Sequence, residues 1–182
     1  MHHPEKTAIS RKEPSAPLID LLQTDLIQGD VLDYGGGKGI DFLFLEFIKK
    51  KIKPHYWDPN FMQTKVGKNS LFVPFETKFE DFYKNKKFDT VLVTYVLNVL
   101  PPEERKQVID HVLSILKPNG VAIFTVRGPK DKISGKSHED GVITKKGTFQ
   151  RLFSAEQLKT QIPNSEIVLD TGRYVTVKYR RV

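Results

Sequence analysis

Two acidic residues and a run of glycines are the part of this sequence best suited to chemistry. A short apolar run, Val31-Leu32, ends in Asp33, and glycines follow at Gly35, Gly36, Gly37 and Gly39. A strand that turns sharply into a helix leaves backbone N–H groups pointing into the turn. Only glycine lets a ligand approach that backbone without a Cβ in the way. The pattern therefore predicts a nucleotide-type binding turn.

The spacing of the glycines distinguishes between nucleotide ligands. The dinucleotide pattern G-x-G-x-x-G fits Gly35 and Gly37, but its third glycine is replaced by Ile40. The P-loop pattern fails because Lys38 is followed by Gly39 rather than by Ser or Thr. An acid directly before the glycines suits a ligand that carries an ammonium group there. This favours S-adenosylmethionine over NAD as the predicted cofactor.

Asp58 is the second acid of the predicted site. It ends the segment Tyr56-Trp57-Asp58-Pro59 and lies 19 positions after Gly39. In doubly wound folds an acid about 20 residues past the glycine turn accepts hydrogen bonds from ribose hydroxyls. The alternative is an ordinary strand-ending Asp-Pro turn. We predict that Asp58 binds the cofactor.

The residues that follow the next buried strand are the candidates for contact with the reacting group. Ligands of open α/β sheets lie beyond the carboxyl ends of the strands. We therefore predict that Thr94 and Tyr95 contact the cofactor, and that Tyr95 and Asn98 are the catalytic candidates. Methyl transfer from a sulfonium needs positioning, and needs a base only if the nucleophile is protonated. His138 is the candidate base because histidine titrates near neutrality. The alternative for His138 is a solvated turn. No metal site is predicted.

The remaining chain supplies alternating strands and helices that would position these residues. Pro14 and Pro17 lead into a helix through about residue 28, and residues 59–70 are predicted to form a loop. The other predicted elements, in order, are a strand, the glycine turn and a helix over 31–52, a strand ending at 58, a weak strand 71–74, helix 76–84, a buried strand that runs into a loop over 87–102, helix 102–117, strand 121–126, a helix from 154, and a hairpin of 166–169 with 173–179.

The succession F-D-T-V-L, helix, L-K-P-N-G, V-A-I-F resembles the second half of the class I S-adenosylmethionine-dependent methyltransferase fold. With the glycine turn, the resemblance spans essentially the whole chain. It implies an α/β, doubly wound, mostly parallel seven-stranded sheet that is Rossmann-like and ends in an antiparallel hairpin. It also implies that the protein is a methyltransferase.

A narrower resemblance rests on four segments: T-A-I-S-R-K-E-P-S-A-P-L (7–18), Y-W-D-P (56–59), Y-V-L-N-V (95–99) and D-G-V-I-T-K-K-G-T-F-Q-R-L-F (140–153). Together they resemble the methyltransferase family found beside bacterial DNA phosphorothioation systems. Gly36 departs from that family, in which a bulkier residue or a cysteine is expected in the turn. Arg11 and Lys12 would reach the site if the N-terminal segment covers it.

Length and composition are consistent with one domain. The 182 residues are interpreted as a flexible segment 1–13 and a methyltransferase domain 14–182 with a basic insertion at about 128–147. The absence of cysteine excludes disulfides, cysteine–zinc sites and thiol catalysis, and favours a cytoplasmic location. No apolar run approaches the roughly 20 residues that span a bilayer, so no membrane association is expected.

The net charge of +7 points to an anionic partner. Between residues 127 and 151 seven Lys or Arg stand against three acids, a balance of +4, and the last ten residues add four more cations with no acid. DNA or RNA binding through this loop and the C-terminal residues is one interpretation, and a solvated loop is the other. The oligomeric state and the acceptor atom stay open.

Three functional hypotheses follow from the sequence. The first is a methyltransferase acting on nucleic acid or on a nucleic-acid-linked substrate. The second is a small-molecule methyltransferase, because T-Y-V-L-N-V-L-P-P lacks the D/N-P-P-Y/F motif of enzymes that methylate amino groups of DNA bases. The third is a non-catalytic module that binds cofactor or a partner, since a fold does not guarantee activity.

Overall fold

The computed structural model describes residues 3–8, 11–48, 51–66 and 68–182. Residues 9 and 10 of the predicted flexible segment 1–13 lie outside them, as do residues 1 and 2. The strands are β1 Gly29–Tyr34, β2 Ile52–Trp57, β3 Phe61–Val66, β4 Asn69–Pro74, β5 Phe88–Thr94, β6 Leu116–Arg127, β7 Lys136–His138, β8 Gly141–Ile143, β9 Phe149–Gln150, β10 Glu166–Asp170 and β11 Tyr174–Arg180. The α-helices are α1 Ala16–Leu21, α2 Ile40–Ile48, α3 Phe79–Tyr83, α4 Pro102–Ser114 and α5 Ala155–Gln161, and the 3-10 helices are Pro4–Thr7 and Leu97–Val99.

The central sheet has the strand order β10-β11-β6-β5-β1-β2. Strands β2, β1, β5 and β6 run parallel, whereas β11 is antiparallel to both β6 and β10. This confirms the predicted α/β, doubly wound, mostly parallel sheet with a terminal hairpin. In the described part of the chain this sheet has six strands rather than the expected seven.

The difference lies in residues 59–74. They were expected to be a loop followed by a third strand, but they form an antiparallel hairpin, β3–β4, that is a separate two-stranded sheet. The ring of Phe72 packs against Tyr56 and Phe42, with ring centroids 4.8 and 6.3 Å apart. Because β4 satisfies its backbone by pairing with β3 and anchors on α2 through Phe72, it does not extend the main sheet.

Both faces of the central sheet are buried. Val31 belongs to an apolar cluster with Leu18, Leu45 and Ile123, whereas the next residue, Leu32, belongs to a second cluster on the other side. Successive strand residues point to opposite faces, and buried parallel strands are apolar on both. The sheet is therefore a rigid frame whose strand ends position the polar residues.

The insertion after β6 folds as a small three-stranded sheet of β7, β8 and β9. Asp140, in the turn between β7 and β8, accepts hydrogen bonds from Nη1 and Nη2 of Arg105 at 2.9 and 3.0 Å and also pairs with Arg151. The Arg105 side chain is fully buried on α4. This ion pair fastens the insertion to the main domain.

No helix in the described ranges is both long enough and apolar enough to cross a membrane.

Candidate active site

A cavity of about 210 Å³ opens at the carboxyl ends of β1, β2 and β5. Its wall combines the glycine turn, the strand ends and part of the N-terminal segment. It is lined by Thr7, Ala8, Arg11, Asp33, Gly35, Gly36, Gly37, Lys38, Ile40, Asp41, Asp58, Pro59, Asn60, Phe61, Thr94, Tyr95, Val96, Val99 and Leu100. The structure thus brings together most of the cofactor-binding residues that the sequence predicts.

The glycine turn connects β1 to α2, lines the cavity and is hydrogen-bonded to the end of β2. The N–H groups of Gly35 and Gly36 donate to the carbonyl oxygen of Trp57, at 2.8 and 3.3 Å. A Cβ on Gly36 would lie 2.6 Å from Oδ2 of Asp33, so the turn has no room for a side chain there. The glycine at this position therefore leaves space beside a carboxylate oxygen.

Asp33 is the most unusual acid of the site. It is 3% exposed, and among the described residues its Oδ2 has no hydrogen-bond partner. Burial, followed by the charges of Asp41 and Asp58, raises the pKa of Asp33 well above its ordinary value, although the Phe42 N–H donates to it. A buried carboxylate without a partner is costly unless a cation or a donor completes it. Asp33 is therefore suited to receive a positively charged group of a ligand.

Asp58 holds the turn and the following loop together. Its Oδ2 accepts the N–H of Gly37 and its Oδ1 accepts the N–H of Asn60, both at 2.8 Å. Burial raises the pKa of Asp58, and these N–H groups oppose that shift. Each carboxylate oxygen has two lone-pair sites, so Asp58 can also accept hydroxyl groups of a ligand in the cavity.

Tyr95 follows the end of β5 in a conformation that few side chains adopt. Its φ is +60°, in the left-handed region, and its N–H donates to the Thr125 carbonyl oxygen at 2.8 Å. A positive φ at a bulky residue stores strain and is common at functional sites. Burial is the main cause that raises the pKa of Tyr95 to about 12, so its hydroxyl is protonated at neutral pH. Tyr95 and Thr94 line the cavity together.

Three described residues of the N-terminal segment, Thr7, Ala8 and Arg11, line the cavity. Ala8 lies over Gly37, and the His3 N–H donates to the Gly147 carbonyl oxygen in the insertion at 3.0 Å. Nη2 of Arg11 lies 3.5 Å from Oδ2 of Asp41. Arg11 thus reaches the site as suggested from the sequence, whereas Lys12 is exposed.

Asp41 was not singled out from the sequence. It accepts hydrogen bonds from the N–H and Oγ of Ser15, at 2.7 and 2.6 Å. An acid in the first turn of a helix is already explained by the helix dipole, so no local signal marks it as part of the cavity.

Three of the predicted site residues, Gly39, Asn98 and His138, do not line the cavity. Gly39 lies behind it, where a Cβ would meet the Phe72 ring at 2.1 Å. Asn98 is 1% exposed, and its Oδ1 has no partner among the described residues, but only its neighbour Val99 lines the wall.

His138 lies in a different groove from the cofactor cavity. The groove is formed by the insertion and the start of α4, and its lining includes Glu103 and Glu139. The reason is that Asp140, two residues after His138, is held at Arg105. The structure therefore does not bring the candidate base His138 to Tyr95.

The stretch 127–151 is less uniformly basic than its composition suggests. Arg127 donates to Asp131 at 2.5 Å, and Arg151 pairs with Asp140. The exposed cations of residues 127–151 are lysines at 130, 132, 136, 145 and 146.

The family model of the methyltransferase domain matches residues 8–165 of the chain. No curated protein sequence matches this chain.

The fold is similar to that of TehB from Haemophilus influenzae, with 15% identity and a TM-score of 0.60 over 94% of this chain and 64% of that one. It is also similar to DhpI in the DhpI-SAM-HEP complex, with 14% identity and a TM-score of 0.58 over 92% and 85% of the two chains. A third similar structure is SAM-bound CalS10, an amino pentose methyltransferase from Micromonospora echinaspora, with 14% identity and a TM-score of 0.51 over 91% and 89%. At these identities the likeness to solved structures shows a shared fold. The narrower resemblance to the phosphorothioation-associated family stays a prediction.

Proposed function

This chain belongs to the methyltransferase domain family, and we propose that its cavity binds S-adenosylmethionine for methyl transfer to an acceptor held beyond the end of β5. The observation that carries the cofactor assignment is the buried Oδ2 of Asp33, which has no partner in the described part of the chain and lies beside Gly36. The amino-acid end of S-adenosylmethionine supplies the ammonium group that such a carboxylate lacks.

The other residues of the cavity fit the rest of the cofactor. Asp58 retains acceptor capacity for ribose hydroxyls, and Gly36 leaves backbone and carboxylate open to the ligand. The side chains of Val96, Val99 and Leu100 form an apolar wall that suits the adenine ring of the cofactor. The bound cofactor supplies an electrophilic methyl group on its sulfonium, and the thioether leaves without needing a proton.

The protein's own contribution to the reaction is to hold the acceptor. Tyr95 keeps its proton at neutral pH and can donate a hydrogen bond to an acceptor oxygen or nitrogen. Its strained backbone directs it from the end of β5 toward the cavity. Since His138 lies elsewhere, we propose that catalysis relies on orienting a nucleophile that needs no base from this residue.

For the acceptor we propose first a nucleic acid or a nucleic-acid-linked substrate. Five exposed lysines of the insertion support this, because lysines near a binding surface attract phosphates. A small-molecule acceptor is the second candidate. The position of Ala8 and Arg11 at the cavity favours a small-molecule acceptor, because only a small molecule, or a group that protrudes from a larger one, can enter a partly covered site.

Calorimetric titration with S-adenosylmethionine and S-adenosylhomocysteine tests the cofactor assignment. We expect micromolar binding that falls by at least about 100-fold in Asp33→Asn, which keeps the shape and removes the charge. Asp25→Asn, at an exposed carboxylate, is the matched control and should bind normally. Absence of binding to the unmodified protein would refute the assignment.

Transfer of a radiolabelled methyl group to DNA, RNA and metabolite pools tests the acceptor. Nucleic-acid methylation that weakens steeply with salt and after Lys132→Glu with Lys136→Glu would support the first candidate. Transfer to the metabolite pool alone would favour the second. Normal cofactor binding without transfer to any pool would instead favour the non-catalytic module.

A further inference from the structure

The acidic side chains that line the cavity outnumber the cationic ones by three to two. Asp33, Asp41 and Asp58 line it, and the cationic side chains in its lining are Arg11 and Lys38. S-adenosylmethionine carries its ammonium and its carboxylate on the same carbon atom. If Asp33 receives the ammonium, the carboxylate must lie next to it, in surroundings that repel a second negative charge unless a cation is present.

Arg11 is the cation placed to meet that carboxylate. Its positive charge acts on Asp33, where it opposes the rise in the pKa of that group, and it acts on Tyr95 in addition. Its Nη2 is 3.5 Å from Asp41, which is long for a charged hydrogen bond, and its side chain is 35% exposed. A guanidinium has five donors, so this contact leaves capacity for a ligand.

The position of Asp41 does not depend on Arg11. Both of its oxygens accept hydrogen bonds from Ser15, one from the backbone N–H and one from Oγ. A ligand carboxylate can therefore take up the guanidinium without leaving Asp41 as an unpaired buried charge. This separates Arg11 from a purely structural role in anchoring α2.

We infer that Arg11 binds the carboxylate of the amino-acid end of S-adenosylmethionine and is therefore part of the cofactor site. The inference rests on the proposed function. It predicts that the protein discriminates against adenosyl ligands that lack the carboxylate, and that Arg11 is the source of this discrimination. Arg can bind a carboxylate through two parallel N–H···O bonds, which Lys cannot do.

The test compares two ligands that differ only in the carboxylate. S-adenosylmethionine and decarboxylated S-adenosylmethionine are titrated into the unmodified protein, Arg11→Met and Lys12→Met at one pH. Lys12 is the matched control because it is the adjacent, exposed cation outside the cavity lining. We expect Arg11→Met to weaken S-adenosylmethionine binding by about 10- to 100-fold and to change decarboxylated ligand binding by less than about threefold.

The ratio of the two affinities isolates the carboxylate contact. Removing Arg11 also changes the electrostatic environment of Asp33, but that change acts on the ammonium of both ligands and cancels in the ratio. Equal losses for both ligands, or no loss for S-adenosylmethionine, would overturn the inference about Arg11. Failure of the unmodified protein to bind either ligand would instead refute the proposed function.

Discussion

The ion pair between Asp140 and the buried Arg105 gives a stability prediction that depends directly on the fold. Asp140→Asn keeps the shape of the side chain but removes its charge. The Arg105 guanidinium, which is fully buried, would then lose its anionic partner at 2.9 and 3.0 Å. Its remaining acceptors are the carbonyl oxygens of Leu97 and Leu100 and Oε1 of Gln161, which are all neutral.

The expected cost follows from the burial of the two side chains. Removing one partner of a buried ion pair costs about 3 to 5 kcal/mol. The Asp140 side chain is 30% exposed, so water compensates in part and we expect a value near the lower end. A loss of about 3 kcal/mol is a large share of the roughly 5 to 15 kcal/mol that stabilise a domain. It corresponds to a fall in Tm of about 6 to 12 °C for a chain of this length.

Urea denaturation measures this loss against a matched control. Asp110→Asn removes the acid of the exposed Lys106–Asp110 pair on α4, in which the side chains are 71% and 62% exposed. That variant should change the free energy of unfolding by at most about 0.5 kcal/mol. Adding Arg105→Met to Asp140→Asn should recover part of the loss, because the uncompensated charge is then gone. A loss in Asp140→Asn no larger than that of the control would refute the reasoning.

Three further substitutions probe the glycine turn and the amino end of β1, where Asp30 lies. Gly36→Ala should weaken S-adenosylhomocysteine binding more than about tenfold in calorimetry, because its Cβ would lie 2.6 Å from Oδ2 of Asp33; normal binding would contradict this. Gly39→Ala should instead lower stability by about 2 to 3 kcal/mol in urea denaturation, since φ is +68° and the Cβ would lie 2.1 Å from an aromatic ring of β4. Hydrogen bonds from His55 and two lysines hold the pKa of Asp30 in the folded protein below its ordinary value. The ionised Asp30 therefore stabilises the fold at any pH above its pKa in the unfolded chain, and this stabilisation is lost as the pH falls toward its lower pKa in the folded protein. Asp30→Asn should therefore cost about 1 to 2 kcal/mol at pH 7, with a difference that shrinks below about pH 4 in parallel denaturation experiments; a difference that does not change with pH would contradict the assignment.

The parts of the site that the sequence predicts are those set by local pattern and by strand order. Asp33, the glycine turn and Asp58 lie at the carboxyl ends of the adjacent parallel strands β1 and β2, which meet at one side of the sheet. The start of α5 was predictable for a similar reason. Ser154 and Gln157 form a capping box in the structure, and this motif is visible in the sequence.

The parts that could not be predicted depend on contacts between distant residues. The hairpin β3–β4 leaves the main sheet because Phe72 packs on α2, which no local periodicity reveals. The contact of Arg11 with Asp41 joins residues 30 positions apart, and each of them has an ordinary local explanation. The position of His138 is set by the partner of Asp140, which lies on α4.

Contacts between distant residues also determine which cations are available to bind an anionic methyl acceptor. The sequence gives residues 127–151 a balance of +4, but Arg127 and Arg151 are committed to Asp131 and Asp140 inside the chain. The cations that remain exposed in this stretch are lysines. Lysine attracts phosphate as a point charge, whereas arginine provides the planar, bidentate contacts that distinguish one base or phosphate geometry from another. For the nucleic-acid acceptor proposed above, these lysines would supply a salt-sensitive attraction that does not depend on sequence. The choice of the methylated atom would then come from residues that line the cavity, such as Tyr95 and Arg11.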